Sequence, residues 1–230
     1  MAIQTANTTD RPAGMRESEI GIICELVAKN RFSEILEIGM ANGSSSTAIL
    51  STIQPAGGNL VSIDPYQLVP ANQGGYAGGG VKNVENAGLA HLHTLLPEPD
   101  YIALPKLVEQ GKKFDFIFID GYHAFDYTFI DFFYADLLLR KGGILAFHDT
   151  AFPAVHKVCR FIAANKSYDV VGPPAEVMYN DFSQKLFRRL RYLITGQSHV
   201  FRERRLKWCS VAAFQKVAHI QSPEFQIQEF

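Results

Sequence analysis

Two acids and one histidine stand where apolar segments end in the second half of the sequence. Asp120 follows FDFIFI (114–119), the strongest buried-strand pattern in the chain, and Asp149 comes soon after the apolar segment 144–147. His123 lies three residues after Asp120. In an open parallel sheet, ligands bind beyond the carboxyl ends of the strands, and neighbouring strands lie about 4.8 Å apart. We therefore expect the three side chains to share one small volume if the two strands are neighbours.

Two carboxylates at that distance require something that offsets their like charges. One solution is a shared proton, and another is a hard divalent cation such as Mg²⁺, which takes oxygen ligands and lowers the pKa of a bound hydroxyl. Beside Asp120 and Asp149 we expect Thr150 as the third metal ligand, because His148 offers nitrogen. His123 should serve as the catalytic general base, with Asp120 as its partner, because an unperturbed imidazole has a pKa near 6.5. In the alternative interpretation, Asp120 only orders a loop, Asp149 caps the next helix and His123 is a surface residue.

A second group of chemically suggestive residues lies in the segment 35–50, ILEIGMANGSSSTAIL. An apolar strand leads into Gly39 and Gly43 and then into a helix whose first residues, 44–46, are serines that can cap free amides. Glycine permits a sharp turn and a close backbone approach to a ligand. About 20 residues further on, a second apolar strand ends in Asp64, which is where a βαβ unit places a carboxylate against a ribose. The pattern predicts a nucleoside pocket.

The glycine spacing also excludes ligands. The dinucleotide fingerprint GxGxxG requires glycine where this chain has Ala41, and the Gly-Lys-Ser/Thr of a phosphate loop is missing. A pyrophosphate ligand is therefore disfavoured. A nicotinamide dehydrogenase is disfavoured as well, because no Tyr-x-x-x-Lys pair stands in a suitable place. What remains is a nucleoside with a small charged tail.

The pattern ExGxxxGxS, followed by a strand-end acid, resembles motif I and its acidic partner in the class I S-adenosylmethionine-dependent methyltransferases. The resemblance implies that S-adenosylmethionine is the cofactor. It further implies that Glu37, Gly39 and Gly43 line the methionine part and that Asp64 accepts the ribose hydroxyls. Ser45, the serine of the pattern, belongs to the same cofactor-binding set.

The second half of the chain strengthens this resemblance. DGYHAFDYTFIDF and LLLRKGGILAFHDT resemble the DGxHxYxxxxxDL and LLxxGGxxxxHD pattern of a bacterial group that includes sugar and antibiotic O-methyltransferases. The match covers roughly residues 15–172 and departs at Tyr122, where many members carry an acid. In the family, the end of the third strand often supplies a polar residue to the adenine amino group. Glu98 and Asp100 are the candidates here, and we expect Asp100, with Asp120 also in the cofactor-binding set.

The composition describes a chain that is large enough for one α/β domain. It has 230 residues, of which 47% are hydrophobic and 20% are charged. A net charge of -1 gives no overall attraction to nucleic acid or to an anionic membrane, so we expect neither as a partner. The three cysteines are widely spaced and predict reduced thiols. Residues 1–14 are polar and lack the apolar core of a signal peptide, which predicts a flexible N-terminus on a cytoplasmic protein.

Strand and helix patterns alternate five times, which predicts a doubly wound α/β domain with a mostly parallel sheet, the Rossmann-like methyltransferase fold. The resemblance implies seven strands with an antiparallel last strand, and we assign one domain to residues 15–230. Within this domain, the pattern of residues 83–89 predicts a short helix. The helix before the fifth strand should end at Lys141-Gly142-Gly143. The glycine-rich segment 72–80 is either a disordered surface excursion or an active-site lid. The first helix is predicted at 17–30, with a buried face formed by Ile20, Ile23, Cys24 and Val27. Strands are predicted to end near residues 38, 63, 96, 119 and 147.

The last part of the chain is predicted to close the sheet and to carry an insertion. Segments 169–172 and 209–214 resemble the final antiparallel pair, and a basic helical insertion spans about 174–207. Residues 185–207 contain eight Lys or Arg and the single acid Glu203. Three interpretations stay open: a solvated helix, a dimer or substrate-cap element, and a membrane-surface helix.

These observations predict an S-adenosylmethionine-dependent methyltransferase that acts on a hydroxyl oxygen of a small molecule with the help of a divalent metal and a histidine base. The alternative is a non-catalytic scaffold that keeps the nucleoside pocket. A homodimer is compatible with the sequence but not required by it.

Overall fold

The computed structural model describes residues 15–171 and 210–218 of the chain. Its strands are β1 Glu34–Ile38, β2 Asn59–Ile63, β3 His93–Leu96, β4 Phe114–Ile119, β5 Leu139–Phe147, β6 Tyr168–Val170 and β7 Ala212–Lys216. Its α-helices are α1 Glu17–Asn30, α2 Ser44–Ile53, α3 Gly79–Asn86, α4 Asp100–Glu109, α5 Phe125–Leu138 and α6 Pro153–Asn165.

The strands form one sheet in the order β3-β2-β1-β4-β5-β7-β6. β7 runs antiparallel to both of its neighbours, and the pairs from β3 to β5 are parallel. The predicted fold class is confirmed, including the antiparallel last strand. The register places Ile63, Ile38, Ile119 and Phe147 in one row. The residues that follow β2, β1, β4 and β5 therefore emerge together at the carboxyl edge.

Apolar side chains alternate between the two faces of the sheet and build a core on each. One core joins α4, α5 and α6 to strand residues such as Ile117 and Leu145. The other joins α1, α2 and α3 to residues such as Phe116 and Ile144. Helices therefore cover both faces, and the carboxyl edge carries the polar residues that the strands position.

Two predicted boundaries and one predicted buried face are wrong. α3 begins at Gly79, before the predicted helix 83–89, and so absorbs the end of the glycine-rich segment. α5 ends at Leu138. Lys141-Gly142-Gly143 therefore does not close it but lies inside β5, because β5 begins at Leu139 and pairs with β4 across a register shift. The pattern of α1 is shifted too, since its buried residues are Glu19, Ile22, Ile23 and Val27.

Several predictions lie wholly or partly outside the described residues, namely the flexible N-terminus 1–14, the basic insertion 174–207 and Cys209. Within the described ranges, Cys24 and Cys159 are free thiols. Among these same residues, no helix combines the length and the apolar character that crossing a bilayer needs.

Candidate active site

The carboxyl ends of β4 and β5 bring the predicted reactive residues together. His123 Nε2 lies 3.5 Å from Asp120 Oδ1 and 3.6 Å from Asp149 Oδ2. The condition for this convergence, that the two strands are neighbours, is met by the register that pairs Ile119 with Phe147. Side chains from two strand ends and one loop thus converge on a single point.

The backbone of Asp149 is held in an uncommon conformation. Its φ is 52°, in the left-handed region that non-glycine residues rarely adopt and that recurs at functional sites. Its carboxylate is not the cap of α6, because the N-cap residue is Phe152, which makes no side-chain cap hydrogen bond. The ring of Phe152 instead stacks on His123, with 5.2 Å between ring centroids. The alternative interpretation of Asp149 as a helix cap is therefore wrong.

The structure adds two residues to this group. His148 Nδ1 lies 3.0 Å from Asp120 Oδ1, and His148 Nε2 lies 3.1 Å from Glu19 Oε2 on α1. Burial alone would lower the pKa of His148, but hydrogen bonds to the carboxylates of Asp120 and Glu19 raise it to about 10. Likewise, burial opposes the charge of Asp120, yet the neighbouring imidazoles of His123 and His148 keep its pKa below the usual value.

Glu19 was not predicted as a site residue, although the sequence of α1 contains a signal for it. It shares the buried face of α1 with Ile22, Ile23 and Val27. An acid on the apolar face of an amphipathic helix must find a polar partner inside the protein, because a buried unpaired carboxylate is costly. The sequence cannot say that this partner is His148.

The residues at this point fit a divalent cation. Ligand atoms of Asp120, His123 and Asp149 all lie within 4.8 Å of one another. His123 Nε2 is buried without a hydrogen bond. Two carboxylate oxygens and one imidazole nitrogen form a donor set that suits cations from Mg²⁺ and Mn²⁺ to Zn²⁺. Thr150, the expected third ligand, is buried beside this group, and its backbone N–H donates to the Ser210 carbonyl at 3.2 Å.

Glu37, at the end of β1, is fully buried and bound by hydroxyl groups. Ser45 donates to its Oε1 at 2.5 Å, and Ser46 and Ser62 donate to its Oε2. Burial outweighs these bonds and raises the pKa of Glu37 to about 7. Gly43 is the N-cap residue of α2, and the free N–H of Ser44 donates to Asn42 Oδ1 at 3.2 Å. The prediction that the serines cap α2 is therefore wrong, since two of them bind Glu37.

The two glycines of the turn permit backbone contacts within the protein. Gly39 has a φ of 91°, and a Cβ there would collide with the carbonyl oxygen of Asp120. Gly43 has a φ of 76°, and a Cβ would lie 2.7 Å from the carbonyl oxygen of Gly80. Any side chain at these positions would push β4 or α3 away from the turn. Their contact with a ligand stays a prediction.

Asp64 anchors the same turn to the end of β2. Its Oδ2 accepts hydrogen bonds from the backbone N–H groups of Met40 at 3.1 Å and Ala41 at 2.8 Å, and its Oδ1 accepts one from Tyr66 at 2.8 Å. A carboxylate offers about four lone-pair sites, so Oδ1 keeps capacity for a further donor. The predicted ribose contact is compatible with this arrangement and stays a prediction.

The glycine-rich segment is ordered over this turn. The Gln67 side chain donates to the carbonyl oxygen of Ala41, and Asn83 donates to that of Asn42 at 2.9 Å. Burial and the charges of Asp64 and Asp120 raise the pKa of Tyr76, which lies in this segment. A disordered surface excursion is the wrong description. The lid interpretation remains a hypothesis.

The two candidates for adenine recognition differ in their surroundings. Glu98 is paired with Lys106, Nζ to Oε2, at 2.5 Å. Asp100 begins α4 and lies beside Asp131 of α5, whose carboxyl oxygens are buried without a hydrogen-bond donor. Burial and the charge of Asp100 raise the pKa of Asp131 well above its usual value. Asp100 therefore lies beside a second buried acid, whereas Glu98 is already paired with a lysine, and the contact of Asp100 with the adenine amino group stays a prediction.

Comparisons with known proteins agree with this architecture. A family model described as "Methyltransferase domain" matches residues 36–150, which is half of the 230-residue chain. No curated protein matches the sequence.

Solved structures of two O-methyltransferases share the fold. TomG from Streptomyces achromogenes, in complex with SAM, is 21% identical with a TM-score of 0.58, and the match covers 69% of this chain and 73% of TomG. An enzyme from Bacillus cereus, in complex with SAH, is 22% identical with a TM-score of 0.59, and the match covers 70% and 76% of the two chains. Cofactor-bound Rv0187 from MTB is 21% identical, also with a TM-score of 0.59, over 70% of this chain and 74% of the other.

Proposed function

Because this chain belongs to the methyltransferase-domain family, we propose that it transfers the methyl group of S-adenosylmethionine to a hydroxyl oxygen of a small molecule. The observation that carries the proposal is the position of His123 Nε2, 3.5 Å from Asp120 Oδ1 and 3.6 Å from Asp149 Oδ2. A base held by two acids is what removal of a hydroxyl proton requires.

The cofactor would lie along the carboxyl edge, from the end of β2 to the end of β4. Asp64 accepts the ribose hydroxyls, and the turn between Gly39 and Gly43 lies beneath the methionine part with Glu37 and Ser45 behind it. Asp100 accepts the adenine amino group. Solved structures of the same fold with SAM or SAH bound support this choice of cofactor.

The residues at β4 and β5 suggest how the proton moves. With Nε2–H of His123 directed at the two carboxylates, Nδ1 keeps its lone pair and takes the proton of the acceptor hydroxyl. When bound, S-adenosylmethionine would supply its methyl group to the deprotonated acceptor oxygen, and the electron pair of the broken carbon–sulfur bond would stay on sulfur in S-adenosylhomocysteine. The proton ends on His123, whose imidazolium is stabilised by Asp120 and Asp149.

A divalent cation would be held by Asp120 and Asp149, with Thr150 or His123 as a further ligand. When bound, it would lower the pKa of the acceptor hydroxyl. His123 Nε2 cannot both donate a proton to a carboxylate and bind a cation, so the two roles of His123 exclude each other. Removal of metal therefore distinguishes them.

Two measurements test the proposal. Calorimetric titration with S-adenosylmethionine, S-adenosylhomocysteine and NAD should show tight binding of the first two, and binding of NAD alone would refute the cofactor. Transfer of a radiolabelled methyl group should then be followed on a panel of phenols, catechols and sugars. Tight cofactor binding without transfer to any of them would favour the scaffold alternative.

The same assay decides on the metal. If a cation is needed, EDTA should abolish transfer and Mg²⁺ should restore it, whereas Asp149→Ala should abolish it in a way that Mg²⁺ does not reverse. Full activity in EDTA would remove the cation from the mechanism and leave the proton transfer to His123.

Three further inferences concern the location of the protein, its domain organisation and the basic insertion. We infer that the protein acts in the cytoplasm on a small molecule, that residues 15–230 form one domain, and that the basic insertion 174–207 is a solvated helix, a dimer or substrate-cap element, or a membrane-surface helix. Gel filtration with light scattering of the intact chain and of a variant without 182–207 tests the last of these. Identical masses would exclude the dimer interpretation.

A further inference from the structure

We propose that Glu19 is a positioning residue for the reactive group: acting through His148, it fixes the direction of the Asp120 carboxylate that faces His123. The inference rests on the proposed function only for its consequence on turnover. Its geometry stands independently of any acceptor.

The first step is the contact between Glu19 and His148. Glu19 Oε2 accepts from His148 Nε2 at 3.1 Å and from the backbone N–H of Arg16 at 2.9 Å. Two donors, one at the start of α1 and one after β5, therefore hold this carboxylate, which is buried.

The second step is the contact between His148 and Asp120. A histidine ring bound at only one nitrogen can turn about its side-chain bonds, whereas a ring bound at both nitrogens has one orientation. His148 is buried, with Nε2 on Glu19 and Nδ1 at 3.0 Å from Asp120 Oδ1. Glu19 therefore decides where Nδ1 points, and Nδ1 decides which Asp120 oxygen it holds.

The third step is the contact between Asp120 and His123, the proposed base. The oxygen held by His148, Asp120 Oδ1, is the same atom that lies 3.5 Å from His123 Nε2. Loss of Glu19 would free the His148 ring, and the Asp120 carboxylate could then turn away from His123. Residues that orient reactive side chains from behind commonly change activity about ten- to hundredfold when removed.

A purely structural role of Glu19 would give different experimental results. Glu19 also completes a capping box at the start of α1 through the bond from Arg16, so its loss will reduce stability whether or not it positions Asp120. Glu17 is an exposed acid in the same first turn. Glu17→Ala removes an equal charge from the same helix end and serves as the matched control.

Nuclear magnetic resonance of the ring nitrogens of His148 and His123 in the full chain tests the proposal without an acceptor. Glu19→Ala should shift the signals of both histidines, Glu19→Gln should largely restore them because the amide oxygen still accepts from Nε2, and Glu17→Ala should leave them unchanged. Shifted His148 signals with unchanged His123 signals would overturn the proposal.

The unmodified protein supplies a test that does not depend on the folding of a variant. Both ring N–H protons of His148 should exchange slowly with water, and fast exchange at either nitrogen would contradict the arrangement. With an acceptor identified, Glu19→Ala should reduce kcat about tenfold or more and leave the Kd for S-adenosylmethionine unchanged. Absence of methyl transfer in the unmodified protein would refute the proposed function, whereas the signals of His148 and His123 would still decide the role of Glu19.

Discussion

The two halves of the carboxyl edge hold their acids in opposite ways. On the β1–β2 side, Glu37 and Asp64 accept hydrogen bonds from hydroxyls and backbone amides that are fixed by the fold. On the β4–β5 side, Asp120 and Asp149 face His123 at 3.5 and 3.6 Å, and His123 Nε2 has no hydrogen bond. The acids of the first half already have hydrogen-bond donors that the fold supplies, whereas His123 Nε2 in the second half has no hydrogen-bond partner.

In the function that we propose, this difference separates the residues that bind the cofactor from those that transfer the proton. A site that binds a cofactor gains affinity when its acceptors are already oriented. A site that moves a proton needs a group that can change its bonds during the reaction. Substitutions on the β4–β5 side should therefore change the rate, and substitutions on the β1–β2 side should change affinity and stability.

The largest effect is expected from His123→Ala. Loss of the base should lower kcat about 10²- to 10⁴-fold, measured as methyl transfer at saturating cofactor, while the Kd for S-adenosylmethionine stays the same in calorimetry. His91→Ala, at an exposed histidine before β3, is the control and should retain full activity. Turnover at the wild-type rate in His123→Ala would remove the distinction between the two halves.

The next effect concerns the charge of Glu37. Its pKa of about 7 in the folded state exceeds its ordinary value of 4.5, so between these two values the folded protein holds a proton that the unfolded chain releases. The contribution of this group to stability is therefore greatest below pH 4.5 and falls as the pH rises through 7. From the shift, the change is about 3 kcal/mol.

Glu37→Gln should remove this dependence. Urea unfolding at several pH values should show the variant gaining stability relative to the wild type as the pH rises, by up to the same amount. Glu85→Gln, at an exposed acid of α3, should differ from the wild type by a constant amount. A constant difference for Glu37→Gln as well would show that its charge is compensated in the fold.

A smaller effect is expected from Asp64→Ala. The variant loses an acceptor for Met40 and Ala41 as well as the ribose partner, so the affinity for S-adenosylmethionine should fall about 10- to 100-fold, measured by calorimetry. Asp115→Ala is a matched control, because Asp115 also accepts from two backbone N–H groups but at the opposite edge of the sheet. It should lower stability and leave affinity intact. Equal affinity losses in both variants would point to a general loss of structure.

The smallest expected effect is on cofactor affinity, and it distinguishes the two acids that are candidates for binding the adenine amino group. Asp100→Ala should weaken cofactor binding about fivefold to tenfold, the value of one hydrogen bond. Glu98→Ala should have no effect, because its carboxylate is paired with Lys106 at the surface. A loss of affinity in Glu98→Ala, with none in Asp100→Ala, would reverse the assignment.

Much of the fold could be predicted because the strands of a parallel sheet are apolar on both faces and end abruptly. FDFIFI and its counterparts were recognisable for that reason, and so were the acids that follow β2, β4 and β5. The end of α5 was not predictable from Lys141-Gly142-Gly143, because the pairing of β5 with β4 extends the strand through residues that usually end a helix. Local signals fail where a neighbouring strand supplies hydrogen bonds.

The sequence by itself determined which residue types stand at the strand ends, and therefore that acids and a histidine would meet at the carboxyl edge. Only the tertiary structure decided how each acid is held. Ser45 and Ser46 bind Glu37 instead of capping their helix, because β1 ends beneath α2. Glu19 reaches His148 across 129 residues of sequence, because packing of α1 on the sheet, which no local pattern records, turns one acid of its buried face toward β5.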